Sequence, residues 1–290
     1  MRVTVATRRS ALALAQSRAV AHALAAAGHE APLLELTTTG DRWSQAGAWQ
    51  QPGMDVKGMF VKELEEALLD GRADVAVHSA KDLPGELPAG LAVLATPPRE
   101  DPRDVLVGAP GGIGSLAEGA RVGTTSPRRG AQVRAVRPDV QLVELRGNVD
   151  TRLAKLDAGE VDALVLAAAG LRRLGIERDD AVMLPVDMCL PAAGQGIVAI
   201  EGRGDDPAVR DACAALDDPA ARACLAAERE FLARIGGGCT VPAGALCEVH
   251  GDHLRMRGWW GATGGFADLE GPYDDPTGLG GRVAQQVGAP

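Results

Sequence analysis

Along most of the chain, short apolar runs that end in turn residues alternate with longer stretches whose apolar side chains recur every three or four positions. That alternation restricts the fold more than any other feature, because strands joined by helices build largely parallel sheets with helices on their faces. Arg2 to Ala6 reads as a strand, and Ser10 is placed to cap a helix whose Leu12, Leu14, Val20 and Leu24 run to a stop at Gly28. Leu33 to Thr38 predicts a second strand and Asp74 to His78 a third. Between them Phe60, Leu64 and Leu68 mark one face of a helix over Phe60 to Leu69. Further strands are expected at Ala92 to Ala95, Val105 to Val107, Val140 to Glu144, Ala163 to Leu166 and Ile197 to Glu201. The fold class is α/β, with mixed, mostly parallel sheets.

Two breaks divide the chain. Thr96 to Pro102 carries three prolines in seven residues, and Leu184 to Pro191 forms a second break. If the strand at Ile197 rejoins the first sheet, the segment between the breaks is an inserted domain. The expected division is 1–97 with 195–216, then 98–194, then 217–290. In the last part a helix from Pro219 to Ile235 leads through Gly236 to Gly238 to Cys239 and to strands at Ala245 to Val249 and Leu254 to Trp260. This is a small α+β domain. The glycine-rich tail after Gly261 is expected to be partly mobile, with a short closing helix from about Thr277 to Val287.

Charge narrows the function. The 290 residues carry 39 acidic against 30 basic side chains, a net charge of -9, which argues against a general binder of nucleic acid or of anionic membranes. Only four of the basic residues are lysines: Lys57, Lys62, Lys81 and Lys155. A G+C-rich genome explains an arginine excess as well as a function does, and composition does not decide between them. The five cysteines form an odd set without a CxxC pair, which points to reduced thiols and a cytoplasmic protein. The N-terminal apolar run is broken by Arg8, Arg9, Gln16 and Arg18 and fits neither a signal peptide nor a membrane span.

Four segments carry chemistry. Cys239 follows three glycines that free the backbone to present a side chain in an open space, whereas Cys213 and Cys224 sit among alanines at helical positions and read as core. Cys189 and Cys247 are open to either reading. His78, Ser79, Lys81 and Asp82 lie at the C-terminal end of a strand, where open α/β sheets bind ligands. Lys81 and Asp82 also fit a plain surface pair. Ser126 suits an N-cap and Pro127 the first helical position, so Arg128 and Arg129 fall in a first turn whose free amides attract anions. Arg146 and Arg152 flank another strand-to-helix junction, with Asn148 as the expected cap. Two cationic pairs in one domain point to a ligand with several carboxylates. Gly112, Gly114 and Ala117 fall in a turn rather than a dinucleotide site, and the CxxHxxH spacing of Cys247, His250 and His253 matches no common zinc site, so no metal is expected.

These segments resemble the porphobilinogen deaminase family. ATRRSALALAQ, KGMFVKELEEALL, ADVAVHSAKDLP, GTTSPRR, LRGNVDTRL, AAAGLRRLG, PAAGQG and EREFLARIGGGCTVP occur in family order over residues 2 to 247. The resemblance implies two domains similar to periplasmic binding proteins and a third that carries a cofactor cysteine. It also implies the reaction: four molecules of porphobilinogen are joined head to tail with loss of ammonia, and linear hydroxymethylbilane is released by water. Carried over by motif, Cys239 holds a dipyrromethane cofactor as a thioether. Asp82 is the catalytic acid that assists loss of the amino group and stabilises azafulvene and pyrrolenine cations. Lys81, Ser126, Arg128 and Arg129 bind the cofactor together with Asp82. Arg8, Ser10, Phe60, Arg146, Arg152, Arg173 and Gln195 bind substrate or line the cleft, and Gln45 to Gly58 forms a lid. The resemblance further implies a monomer. A non-enzymatic two-lobed protein that binds a polycarboxylate is the alternative reading.

Overall fold

β2 (Leu33–Leu36), β1 (Val5–Arg8), β3 (Val75–Ser79), β10 (Val198–Arg203) and β4 (Leu91–Ala95) lie side by side in that order. β1 runs parallel to β2 and β3, while β10 runs antiparallel to both its neighbours. Both faces are covered, which is why these strands read as continuous apolar runs. On one face Val75 and Val77 pack with Val20 and Leu24 of α1 (Ala11–Ala26) and with Val209 and Cys213 of α6 (Pro207–Ala214). On the other, Ala76 packs with Leu64 and Leu68 of α2 (Gly58–Leu69). The structure, a computed structural model, describes residues 1–41, 58–236 and 241–289. They divide into a first unit of residues 1–99 with 197–223 and a second of 100–196 with 224–290.

The second unit contains a sheet of the same pattern, in the order β7 (Gln141–Val143), β6 (Arg121–Gly123), β8 (Ala163–Ala167), β5 (Asp104–Val107) and β9 (Ala181–Met183). β6 is parallel to β7 and β8, and β5 is antiparallel to β8 and β9. Its helices are α3 (Pro127–Val136), α4 (Val149–Asp157) and α5 (Ala168–Arg173), each entered from the C-terminal end of a parallel strand. Leu106, Val122, Val133 and Val165 fill one face, and Val105, Leu153, Leu164 and Leu171 the other.

α7 (Pro219–Arg234) leads to the meander of β11 (Ala243–His250), β12 (His253–Trp260) and β13 (Gly265–Pro272), closed by α8 (Pro276–Gln286). Gly251 and Asp252 make the two-residue turn of the first hairpin, with Gly251 at φ 65°. The expectation of a partly mobile tail is corrected here. Residues 265 to 272 pair along the whole length of β12 and alternate between exposed Phe266, Asp268 and Glu270 and covered Ala267, Leu269 and Gly271. The glycines reflect close packing: a Cβ on Gly265 would lie 2.5 Å from the Val287 carbonyl oxygen, and one on Gly271 would lie 3.3 Å from Leu279. Among the described residues, no helix is long and apolar enough to cross a membrane.

Candidate active site

In the first unit β1 and β3 are parallel neighbours, so the residues that follow them emerge at the same sheet end. Ser10 caps α1, its Oγ accepting the amide of Ala13 at 3.4 Å, and Arg8 is the last residue of β1. The Arg8 guanidinium lies 4.3 Å from the centre of the Phe60 ring and donates through Nη2 to Asp41 at 2.5 Å. Burial pushes the Asp41 carboxyl upward, but Arg8 and the Thr38 donors outweigh it and hold it below the usual carboxylate value. Arg8 therefore has a resident counter-ion, Asp41, which the sequence reading did not anticipate.

Past β3 the chain makes a single 3-10 turn, Ala80–Asp82. Both flanks of that turn are fixed. The Ala80 amide donates to the Ile197 carbonyl at 2.9 Å, Gln16 Nε2 donates to Ser79 Oγ at 2.9 Å, and Leu83 is buried. Lys81 is half-buried and Asp82 exposed. Among the described residues the Asp82 carboxylate makes no hydrogen bond or ion pair. A rigid turn thus presents an uncommitted carboxylate. One strand position before Ser79, His78 is buried against Glu201 of β10, with Nε2 2.9 Å from Oε2.

In the second unit the C-terminal ends of β6, β7 and β8 share one sheet end, because the three strands are parallel. Ser126 caps α3 with Pro127 at the first position, its Oγ accepting the amide of Arg129 at 3.4 Å. Arg128 and Arg129 are not on a solvated face: they are 4% and 7% exposed and converge on one carboxylate, Asp104. Arg128 Nη1 donates to Asp104 Oδ2 at 2.6 Å and to the Leu190 carbonyl at 2.6 Å. Arg129 donates to Asp104 Oδ1 through Nε at 2.9 Å and through Nη2 at 2.8 Å. Gln195 Nε2 reaches the same Oδ1 at 2.9 Å and the Pro102 carbonyl at 2.7 Å, and the Cys189 thiol reaches Oδ2 at 3.2 Å. Burial would raise the Asp104 pKa, but the two guanidinium charges prevail and hold it well below the carboxylate range. Burial, and then the Asp104 charge, push the Cys189 thiol up to about 12. Cys189 and Cys247, left open by the sequence, are both buried, as are Cys213 and Cys224.

Arg146 follows β7 and pairs with Glu144. Asn148 occupies the cap position of α4 without a side-chain cap hydrogen bond, and the half-buried Arg152 lies in the first turn of α4. Arg173 ends α5 and donates to the Gly196 carbonyl at 2.6 Å. Burial lowers its pKa, opposed by Glu100. Cys239 and residues 45–57 of the expected lid lie outside the described residues.

Asp104, central to the second unit's cluster, was missed by sequence reasoning although a signal existed. It opens a strand, Asp104–Val107, in which every residue is buried, and a carboxylate in such a run requires cationic partners.

The donor set suits a ligand bearing carboxylates. Each guanidinium has five N-H donors in a fixed fork. Among the described residues, Nε and Nη2 of Arg128 and Nη1 of Arg129 make no hydrogen bond, and they sit at the N-terminus of α3 beside the half-buried Ser126.

Comparison with known proteins agrees along the whole chain. The family profile described as porphobilinogen deaminase, dipyromethane cofactor binding domain, matches residues 3–211, and the one described as porphobilinogen deaminase, C-terminal domain, matches 222–287. The porphobilinogen deaminase of Roseiflexus castenholzii is 50% identical over 98% of this chain and 95% of its own length. Those of Brevibacillus brevis and Syntrophus aciditrophicus are 44% and 42% identical over 98% of this chain and 93% and 94% of theirs. Among solved structures, the methionine binding protein MetQ aligns with a TM-score of 0.48 at 12% identity, over 74% of this chain and 89% of its own. On the profile matches and the identity to these relatives, this chain belongs to the porphobilinogen deaminase family.

Proposed function

We propose that this protein is a hydroxymethylbilane synthase of tetrapyrrole biosynthesis. It condenses four molecules of porphobilinogen head to tail, releases one ammonia per molecule, and frees the linear tetrapyrrole with water. The observation that carries this reading is 50% identity to a porphobilinogen deaminase over 98% of the chain. A non-enzymatic polycarboxylate binder is not favoured, because the matched relatives bear the name of the enzyme.

Each porphobilinogen carries an acetate and a propionate, so the growing product accumulates negative charge that a net acidic protein must meet locally. Arg8, Arg146, Arg152 and Arg173, with Ser10, Phe60 and Gln195, are assigned to substrate. Lys81, Ser126, Arg128 and Arg129 are assigned to the carboxylates of a dipyrromethane cofactor. The uncommitted donors of Arg128 and Arg129 support that assignment. When bound, this cofactor supplies two pyrrole rings as the primer on which the product grows, and the family motif assigns its thioether link to Cys239.

Asp82 is assigned the acid-base role. The substrate's protonated amino group leaves as ammonia, the carbon-nitrogen bond electrons going with it, and the ring nitrogen lone pair takes up the resulting positive charge. The Asp82 carboxylate stabilises that charge and then accepts the proton displaced when a second ring forms the carbon-carbon bond. A carboxylate on a fixed turn, with no hydrogen bond or ion pair among the described residues, is suited to both tasks. We further propose three functional domains, 1–97 with 195–216, 98–194 and 217–290. The protein is a cytoplasmic monomer.

Intact mass and turnover of the purified protein test the reading. The expected result is the sequence mass plus two pyrrole units, located on Cys239, with porphobilinogen consumed and ammonia released. An active protein of bare sequence mass overturns the covalent cofactor, and an inactive protein carrying no adduct overturns the activity.

A further inference from the structure

Asp104 is fully buried, yet it is the one carboxylate on which Arg128, Arg129, Gln195 and Cys189 all converge. The four come from two places: α3 supplies both arginines, and the segment ahead of β10 supplies the other two. Gln132, one turn further along α3, closes the far side by donating to the Leu190 carbonyl at 3.1 Å and accepting the Leu190 amide at 2.7 Å. Two consequences follow. Arg129 is fixed by its Nε–Nη2 edge, which sets the direction of Nη1, and Arg128 is fixed through Nη1, which sets the direction of its Nε–Nη2 edge. The cluster of two cations and one anion carries a net charge of one, so the pair meets a dianionic ligand with half its formal charge already balanced.

We propose that Asp104 is a positioning residue, which sets the free edges of Arg128 and Arg129 for the carboxylates of the cofactor and acts through that geometry rather than through charge. This rests on the assignment of the arginine pair to the cofactor. Were charge the controlling term, removing the buried anion would strengthen the site. Were geometry controlling, the same change would weaken it, because the forks lose the partner that orients them.

Asp104→Asn and Asp104→Glu separate these outcomes. Each variant is purified and its content of covalent adduct measured by intact mass, alongside its melting temperature. Asp104→Asn removes the charge and keeps the shape. Asp104→Glu keeps the charge and displaces it by one methylene. The expected result is that Asp104→Glu melts above Asp104→Asn, while both carry adduct reduced by about tenfold or more, since displacements of about 1 Å have effects of this size or larger. Adduct content that simply follows melting temperature across the series makes Asp104 a stability residue and overturns the proposal. So does wild-type loading in either variant, or failure of both to fold. Arg129→Gln tests the underlying assignment separately. If Arg129→Gln loads and turns over like the wild type, the arginine pair does not hold the cofactor; if it loses adduct while both Asp104 variants keep it, only the positioning role fails.

Discussion

The Glu228 carboxylate accepts the backbone amide of Gly194 at 2.5 Å and, through its other oxygen, the amide of Cys247 at 2.8 Å. Glu228 is fully buried in α7, the helix that leads toward Cys239. Gly194 immediately precedes Gln195, and Cys247 lies in the middle of β11. One carboxylate therefore ties α7 and β11 to the segment that supplies Gln195 to the Asp104 cluster. Glu228→Ala leaves two buried amides without an acceptor, at a cost of about 1–3 kcal/mol each. Urea unfolding is expected to show a midpoint lowered accordingly with an unchanged slope. A midpoint equal to that of the wild type would mean that water replaces the carboxylate.

Acid should erode stability at Asp104 in a defined window. Its folded pKa lies below the ordinary value of 3.8, because Arg128 and Arg129 overcome the effect of burial. Where the unfolded chain binds the proton and the folded one does not, stability rises with pH. The contribution of Asp104 is thus complete above the unfolded pKa and fades as pH falls through the folded one. Melting curves of the wild type and Asp104→Asn, where both fold, should differ by a constant gap near neutral pH that closes below pH 3.8. A gap constant down to the lowest accessible pH would assign the effect to packing instead of ionisation.

The alternation of apolar runs made most elements legible, because period and turn residues are local properties. Ends moved by a few residues, as when the strand expected at Arg2 to Ala6 formed at Val5–Arg8. Ser126 and Pro127 disclosed the start of α3 and hence the placement of Arg128 and Arg129. Their burial was not legible, because their partner Asp104 lies 24 and 25 residues earlier in the chain. Asp41 and Glu228 escaped for the same reason. β13 was hidden by its own composition: glycines admitted for close packing against α8 look, in sequence, like glycines of a loop.

That close packing gives a paired prediction within α8. A Cβ on Gly280 would collide with the Ala227 carbonyl oxygen of α7, a backbone atom that moves only if the two helices separate. A Cβ on the neighbouring Gly281 meets nothing closer than the Glu230 carboxylate at 4.0 Å. Gly280→Ala is expected to destabilise by about 1–3 kcal/mol through overpacking. Gly281→Ala should stabilise by about 0.5–1 kcal/mol through helix propensity and a less flexible unfolded chain. Thermal unfolding of the two variants reads both signs, and equal shifts would contradict the close contact of α8 with α7.

Asp82→Ala separates catalysis from stability, because nothing that anchors its turn uses the carboxylate. The Ala80 amide, the pair of Gln16 with Ser79, and buried Leu83 hold the turn from both sides. The melting temperature should therefore stay close to that of the wild type. Turnover of porphobilinogen is expected to fall by about 100-fold to 10,000-fold, the range for losing a positioned acid-base group, while intact mass still shows the adduct. Glu86→Ala, a few residues on and also exposed, should change neither quantity and serves as the control for charge alone. Wild-type turnover in Asp82→Ala would remove this residue from the chemistry. Loss of the adduct as well as of turnover would show that Asp82 acts first in assembling the loaded enzyme.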